Sequence, residues 1–188
     1  MRYLIANRQA APHLPEGSRL VANGEMISFE QPWTFGPVLI ARLDDEAPLN
    51  DWTVRARGSR FNAFAVEGIA ESGNGQAYVL GGHIMRNAER FKPYAAAVPE
   101  VVQSFGGRFL ARAGAVTLIA GDFVPERVVL IEFPSVDDAL GFYVSERYAP
   151  LLKIRLETTE ARLVLLPRTG DLPARIRDAA ADYLHRHR

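Results

Sequence analysis

Apolar residues recur in this chain at two periods, and the order in which those periods alternate predicts its elements. From Tyr78-Val79-Leu80 to Met85 the apolar run reads as a strand. From Ala88 to Phe105 the positions Phe91, Tyr94, Ala95, Val98, Val101, Val102 and Phe105 return at spacings of three and four, the period of a helix. Asn87 stands where a capping side chain belongs. Gly106-Gly107 stands where a left-handed residue ends a helix at little steric cost. Pro99 predicts a kink or a restart. Arg108-Phe109-Leu110-Ala111-Arg112 opens a second strand, ending at a turn near Gly121-Asp122 and Pro125, and Val128 to Phe133 reads as a third. Ser135 caps a second helix whose first turn carries Asp137 and Asp138, where the helix dipole favours acids. Ala139, Phe142, Tyr143, Tyr148, Leu151 and Leu152 supply its buried face, and Pro150 predicts a break in it. Leu163 to Leu166 is the last strand. Strand, helix, strand, strand, helix, strand is the ferredoxin-like α+β plan with an antiparallel sheet.

Small polar residues mark the borders of that unit. Glu71-Ser72-Gly73-Asn74-Gly75 reads as a linker, and Pro167-Arg168-Thr169-Gly170 as a second boundary. Three regions follow: 1–72, 76–167 and 168–188. The first is rich in strand signals, at Arg2 to Ala6, Arg19 to Ala22, Glu25 to Glu30, Pro37 to Leu43 and Ala63 to Ile69, with a helix carrying Leu49 and Trp52. Its segment Pro37-Val38-Leu39-Ile40-Ala41-Arg42-Leu43-Asp44-Asp45 resembles Arg127-Val128-Val129-Leu130-Ile131-Glu132-Phe133 with its acidic sequel. Two readings stand: a reduced copy of the ferredoxin-like unit, or an unrelated β-rich extension covering a sheet edge or a dimer seam. In the last region Asp171 and Pro173 open a short helix with a narrow apolar stripe, Ile176, Ala179, Ala180, Tyr183 and Leu184. His185-Arg186-His187-Arg188 reads as its solvated, favourably charged end.

Composition narrows the function. The 188 residues, 48% of them hydrophobic, suffice for one generous domain or two small ones. Net charge is zero, so no field of one sign draws nucleic acid, and that partner is not expected. All but Lys92 and Lys153 of the 22 basic residues are Arg, a compositional bias rather than a site. With no Cys, disulfides, thiolate catalysis and Cys-ligated metals are excluded. No run approaches the roughly 20 apolar residues of a membrane span. Met1 to Asn7 is too short for a signal peptide. The expectation is a cytoplasmic protein with no membrane partner. His13, His83, His185 and His187 are scattered, and no phosphate loop or nucleophile elbow occurs. Neither metal nor cofactor is expected.

Residues 76–167 resemble the domain of unknown function 1330 family, within the dimeric α/β-barrel superfamily. The resemblance rests on Ala77-Tyr78-Val79, Phe91 with Tyr94, Gly106-Gly107-Arg108-Phe109-Leu110-Ala111-Arg112 and Gly121-Asp122. It continues through Glu132-Phe133-Pro134-Ser135, Ala139, Tyr143 with Ser145 and Tyr148, and Arg155. The family usually has Asp where this chain has Asn87; both cap helices. The resemblance implies a four-stranded antiparallel sheet with two helices on one face, two such sheets packing into a barrel across a homodimer. It implies no particular reaction. Superfamily relatives include cofactor-free monooxygenases, haem-degrading enzymes and isomerases, and others only bind ligands. The expectation is a small-molecule-binding protein, cofactor-independent if an enzyme, acting on a small carbonyl, enol or aromatic compound. The alternative is a dimerisation module without ligand.

Strand alternation nominates the residues of a site. Arg108, Leu110 and Arg112 share one face of the second strand; Val128, Leu130 and Glu132 share one face of the third. These sets face the barrel if the apolar sets meet the helices, with Arg112 and Glu132 as neighbours. They form either an anion or carbonyl site, with Glu132 as base, or a satisfied ion-pair network. His83 falls with Val79 and Met85 on the helix side, as a general base, a haem ligand or a hydrogen-bonded core residue. Tyr143 is the first choice among the tyrosines that could give a hydroxyl to the same pocket, ahead of Tyr94 and Tyr148.

Overall fold

The computed structural model describes every residue except 32, 34, 35, 45–51, 54–61, 122–124 and 188. In its second half β6 (Ala77–Met85), α1 (Ala88–Ser104), β7 (Arg108–Arg112), β9 (Arg127–Phe133), α2 (Val136–Val144), α3 (Ala149–Thr158) and β10 (Thr159–Pro167) follow the expected order. All strand pairs are antiparallel, and the sheet order β10-β6-β9-β7 is that of a ferredoxin-like unit. β6 and β9 are apolar on both faces because both are covered, one by helices and one by a second sheet. Asn87 Oδ1 accepts from the Arg90 amide and Ser135 Oγ from the Asp138 amide, so both caps form.

The first half builds the second sheet from β1 (Arg2–Asn7), β2 (Arg19–Ala22), β4 (Val38–Leu43) and β5 (Ala63–Glu67), with a 3-10 helix at Arg8–His13. Their order is β2-β4-β1-β5. Of the helix expected at Leu49 and Trp52, most lies outside the described residues; the Trp52 ring is buried against the outer face of this sheet. Each sheet then receives a strand from the other half of the chain. β3 (Ile27–Ser28), all that forms of the strand expected over Glu25 to Glu30, pairs with β10. β8 (Val116–Ala120) pairs with β5. The single strand expected from Arg108 toward Gly121 breaks instead at Ala113, whose φ of 59° turns the chain across to the first sheet. Gly114 is required there, since a Cβ would collide with the backbone of Glu67.

Both sheets are open, and they pack face to face. Tyr3, Ile5, Ile40 and Phe64 of the first meet Tyr78, Leu80, Leu130 and Val164 of the second in one buried layer. A separate layer lies between the second sheet and its helices, and α4 (Ala174–His187) docks there through Ile176, Ala180 and Tyr183. Pro150 falls in the first turn of α3, as the expected break requires. Pro99 neither restarts nor ends α1.

Candidate functional site

Glu132 and Arg108 meet, in the satisfied form. They face one another across the β7–β9 ladder. Glu132 is 4% exposed, and its carboxylate accepts from Arg108 Nε at 2.7 Å, the Gly73 amide at 2.9 Å, the Gly75 amide at 3.2 Å and the Tyr78 hydroxyl at 3.2 Å. Arg108 Nη2 also donates to the Glu71 carbonyl at 2.7 Å. Arg168 closes the other side, donating to the carbonyls of Gly73 and Gly75 and to the Tyr78 hydroxyl. Burial pushes the Tyr78 phenol up to about 12, and Glu132 adds to the rise. The network fastens the segment 71–75 to the second sheet and spends the acceptor capacity of Glu132 on protein donors.

Arg112 is not part of it. A bulge between Phe109 and Ala111 shifts the register, so that Arg112 stands opposite Val129 and turns to the helix side. Its guanidinium donates to the Ala95 carbonyl in α1 and lies 5.0 Å from the Phe109 ring centroid. Ala95 is four residues before Pro99, which has no N–H to give that carbonyl. Arg112 supplies the missing donor. The helix runs through Pro99 unbroken.

His83 lies on the helix side, as alternation predicts. It is 2% exposed, and neither ring nitrogen meets hydrogen-bond geometry, although the Arg127 backbone runs alongside. Burial pulls its pKa down to about 3, and the charges of Arg155 and Arg127 add to the pull. It is therefore a neutral imidazole near pH 7.

The groups that do converge on a cavity centre on Glu30 and Arg155. Arg155 is 0% exposed; it forms a bidentate pair with the Glu30 carboxylate and donates from Nε to the Tyr148 hydroxyl at 3.0 Å. Tyr143 donates its hydroxyl to the same carboxylate at 3.1 Å and stacks on Phe29 with centroids 4.0 Å apart. Burial raises the Tyr143 phenol well above its ordinary range, with Glu30 reinforcing the shift. Tyr94 completes the chain through the Tyr148 hydroxyl at 3.4 Å. Against Glu30 and Tyr143 opens a cleft of about 490 Å³, with Phe29, Leu152, Leu156 and Tyr183 among its apolar walls and Arg86 and Glu160 among its polar ones. Of the five residues nominated from sequence, Tyr143 alone lines it. Glu30 and Arg155 escaped notice as a pair because 125 residues separate them. The available signal was an arginine falling three and four positions after Leu152 and Leu151, on a face that must be buried and so must carry its own counter-charge.

Among the described residues no cluster of His, Asp and Glu is placed to hold a metal ion, and no helix is long and apolar enough to cross a membrane.

No curated protein matches the sequence. Similar solved structures include a protein of unknown function from Rhodopseudomonas palustris, RPA0582, at 20% identity over 50% of this chain and 82% of that one, with a TM-score of 0.43. A major regulator of staphylococcal pathogenesis is similar at 10% identity over 89% of this chain and 99% of that one, with a TM-score of 0.44. A candidate monooxygenase from Lactobacillus acidophilus is similar at 9% identity over 89% and 96% of the two chains, with a TM-score of 0.42. The model of one family, described as a domain of unknown function (DUF1330), matches residues 76–169, which is half of the chain and spans β6 to β10 with their helices. The chain belongs to that family.

Proposed function

We propose that this protein binds a small molecule in the cleft between β10, α3 and α4, and that it is a single-chain counterpart of a two-chain barrel. The cleft carries the first part. It is within the usual size range for ligand sites, mostly apolar in its lining, with a few placed polar groups. In a narrower form of the proposal, the cleft acts without a cofactor on a small carbonyl, enol or aromatic compound, with Tyr143 facing it. A cytoplasmic location, suited to a cysteine-free chain, belongs to the same proposal.

The strand orders support the second part. β5-β1-β4-β2 in the first sheet repeats β10-β6-β9-β7 in the second, and each half lends a strand to the other. The reduced-copy reading of residues 1–72 explains this exchange. The sheet face that would meet a second chain in a homodimer is filled here by the first half. A dimerisation module without ligand is favoured by one observation only, the saturated Glu132 network.

Native mass spectrometry on protein purified from its own host tests both parts. The expected result is one chain of 20.8 kDa carrying additional mass that is lost in Leu156→Arg. A mass of two chains would refute the single-chain pair. A bare monomer that also shows no hit in a fragment screen by ligand-observed NMR would refute the binding site.

A further inference from the structure

Charges around the first turns of α1 do not balance. The acids there are taken: Glu89 pairs with Lys92, Glu157 with Arg90 and Glu160 with Arg86. Glu30 is matched by Arg155, and Glu126 accepts from the Met85 amide. Arg112 and Arg127 are left over. Arg112 gives one N–H to the Ala95 carbonyl, and among the described residues no acceptor meets the buried Nε of Arg127. Their other contacts are rings. The Arg112 guanidinium lies 5.0 Å from the Phe109 centroid and that of Arg127 5.4 Å from the Phe91 centroid. A ring covers the face of a guanidinium, whereas its N–H groups lie in the plane and stay free to donate.

The two arginines come together under α1. Phe91 and Ala95 are four residues apart and so share one helix face, which puts the two guanidiniums beneath neighbouring turns. Both side chains are half-buried. Burial, with the charge of Arg112 added, holds the Arg127 pKa below its ordinary value. His83 lies between them on the sheet. It stands opposite Arg127 in the ladder, and its ring folds back over Gly81, where a Cβ would come within 2.8 Å of Cε1. The row of Gly81 leads across Val129 to Arg112. The imidazole is 2% exposed with neither nitrogen in hydrogen-bond geometry, and burial keeps it neutral, with one N–H to give.

We propose that this is an oxyanion site, in which Arg112 and Arg127 bind a small dianion and His83 donates an N–H to it from the sheet. Two unmatched cations assign the charge of the ligand. The planar forks of the guanidiniums suit a phosphoryl group or a short dicarboxylate. None of the three residues lines the cleft between β10, α3 and α4, so this site stands apart from the function proposed above.

Inorganic phosphate and malonate, with acetate as the monoanion, are titrated into the full chain at pH 7 and constant ionic strength, and the His83 ring is followed by NMR. Phosphate and malonate should saturate with dissociation constants of about 1 mM or tighter and move the His83 resonances in step. Acetate should bind at least about tenfold more weakly, because it satisfies one guanidinium only. Arg127→Met withdraws Nε from no described acceptor and should weaken both dianions about tenfold or more. His83→Leu should weaken them about tenfold while the protein stays as stable as the wild type, a combination that a merely structural histidine does not give. Arg147→Met, at an exposed pair with Glu100, should change nothing. Saturable binding of either dianion with this pattern of variants supports the site, and the tighter of the two tells a phosphoryl ligand from a dicarboxylate. A shift that never saturates, or that Arg147→Met reduces as much as Arg127→Met, would mean an adventitious ion only and overturn the proposal. Acetate binding as tightly as malonate, or no binding of either dianion, would overturn it as well.

Discussion

Acid should destabilise this protein through one imidazole. The perturbation is a shift from pH 7 to pH 5, compared between the wild type and His83→Leu. His83 has an ordinary pKa of about 6.5 in the unfolded chain. In the fold burial, with Arg155 and Arg127 nearby, lowers it to about 3. Between those values the unfolded chain binds a proton that the folded chain refuses, so stability must fall as pH falls. The contribution is complete above pH 6.5 and is lost progressively toward pH 3. The slope is about 1.4 kcal/mol per pH unit, and 1.5 units below 6.5 the loss is about 2 kcal/mol. In urea that is a midpoint shift of about 1 M for an m-value near 2 kcal/mol/M. The carboxylates contribute their own acid dependence to both proteins, so the difference between the two curves isolates the imidazole. At pH 7 the leucine variant should lie within about 1 kcal/mol of the wild type or above it, because it removes two buried nitrogens without hydrogen bonds. Parallel curves between pH 7 and pH 5 would show that His83 is not held neutral by burial, and the reasoning would fail.

Three further outcomes follow from the geometry. Arg155→Met leaves Glu30 as an uncompensated charge, 9% exposed, and should cost about 3–5 kcal/mol by urea denaturation; adding Glu30→Leu should recover most of it, and additive losses would refute the pairing. Arg112→Met should cost about 1 kcal/mol by withdrawing the donor from the Ala95 carbonyl; in a Pro99→Ala background the helix N–H replaces that donor, so calorimetry should find the cost largely gone. Gly75→Ala places a Cβ against the Glu132 side chain and should cost about 2 kcal/mol, while exposing the 71–75 segment to proteases that spare the wild type.

Local patterns reached as far as local physics did. The caps at Asn87 and Ser135, the apolar stripe of α1 and the two faces of β6 and β9 all depend on neighbours a few residues away, and all stand as the periods predict. The face of Arg112 was misread because one bulge inverts every later residue of β7, and no residue between Phe109 and Ala111 announces it. The strand exchange was hidden for another reason. Ala113 is an ordinary alanine in a left-handed conformation, and what holds it there is the far side of the molecule, through the bond from the Glu67 amide to the Ala115 carbonyl. The Glu30–Arg155 pair joins a segment before the first sheet is complete to a helix near the chain's end, a distance over which spacing carries no information.

The exchanged strands also set a timetable. Ile27 and Ser28 emerge early in synthesis, yet their partner Val164-Leu165 comes more than a hundred residues later. At ribosomal rates of about 5–20 residues per second, the wait is several seconds to half a minute. Until residues 116–120 follow, the first sheet also lacks β8, so the outer edge of β5 has no pairing partner, and until the second sheet is complete the apolar face of β1 and β4 is only partly covered. A nascent chain in that state presents what aggregation and chaperones both recognise. Folding of the finished chain should be slow and late, governed by contacts far apart in sequence.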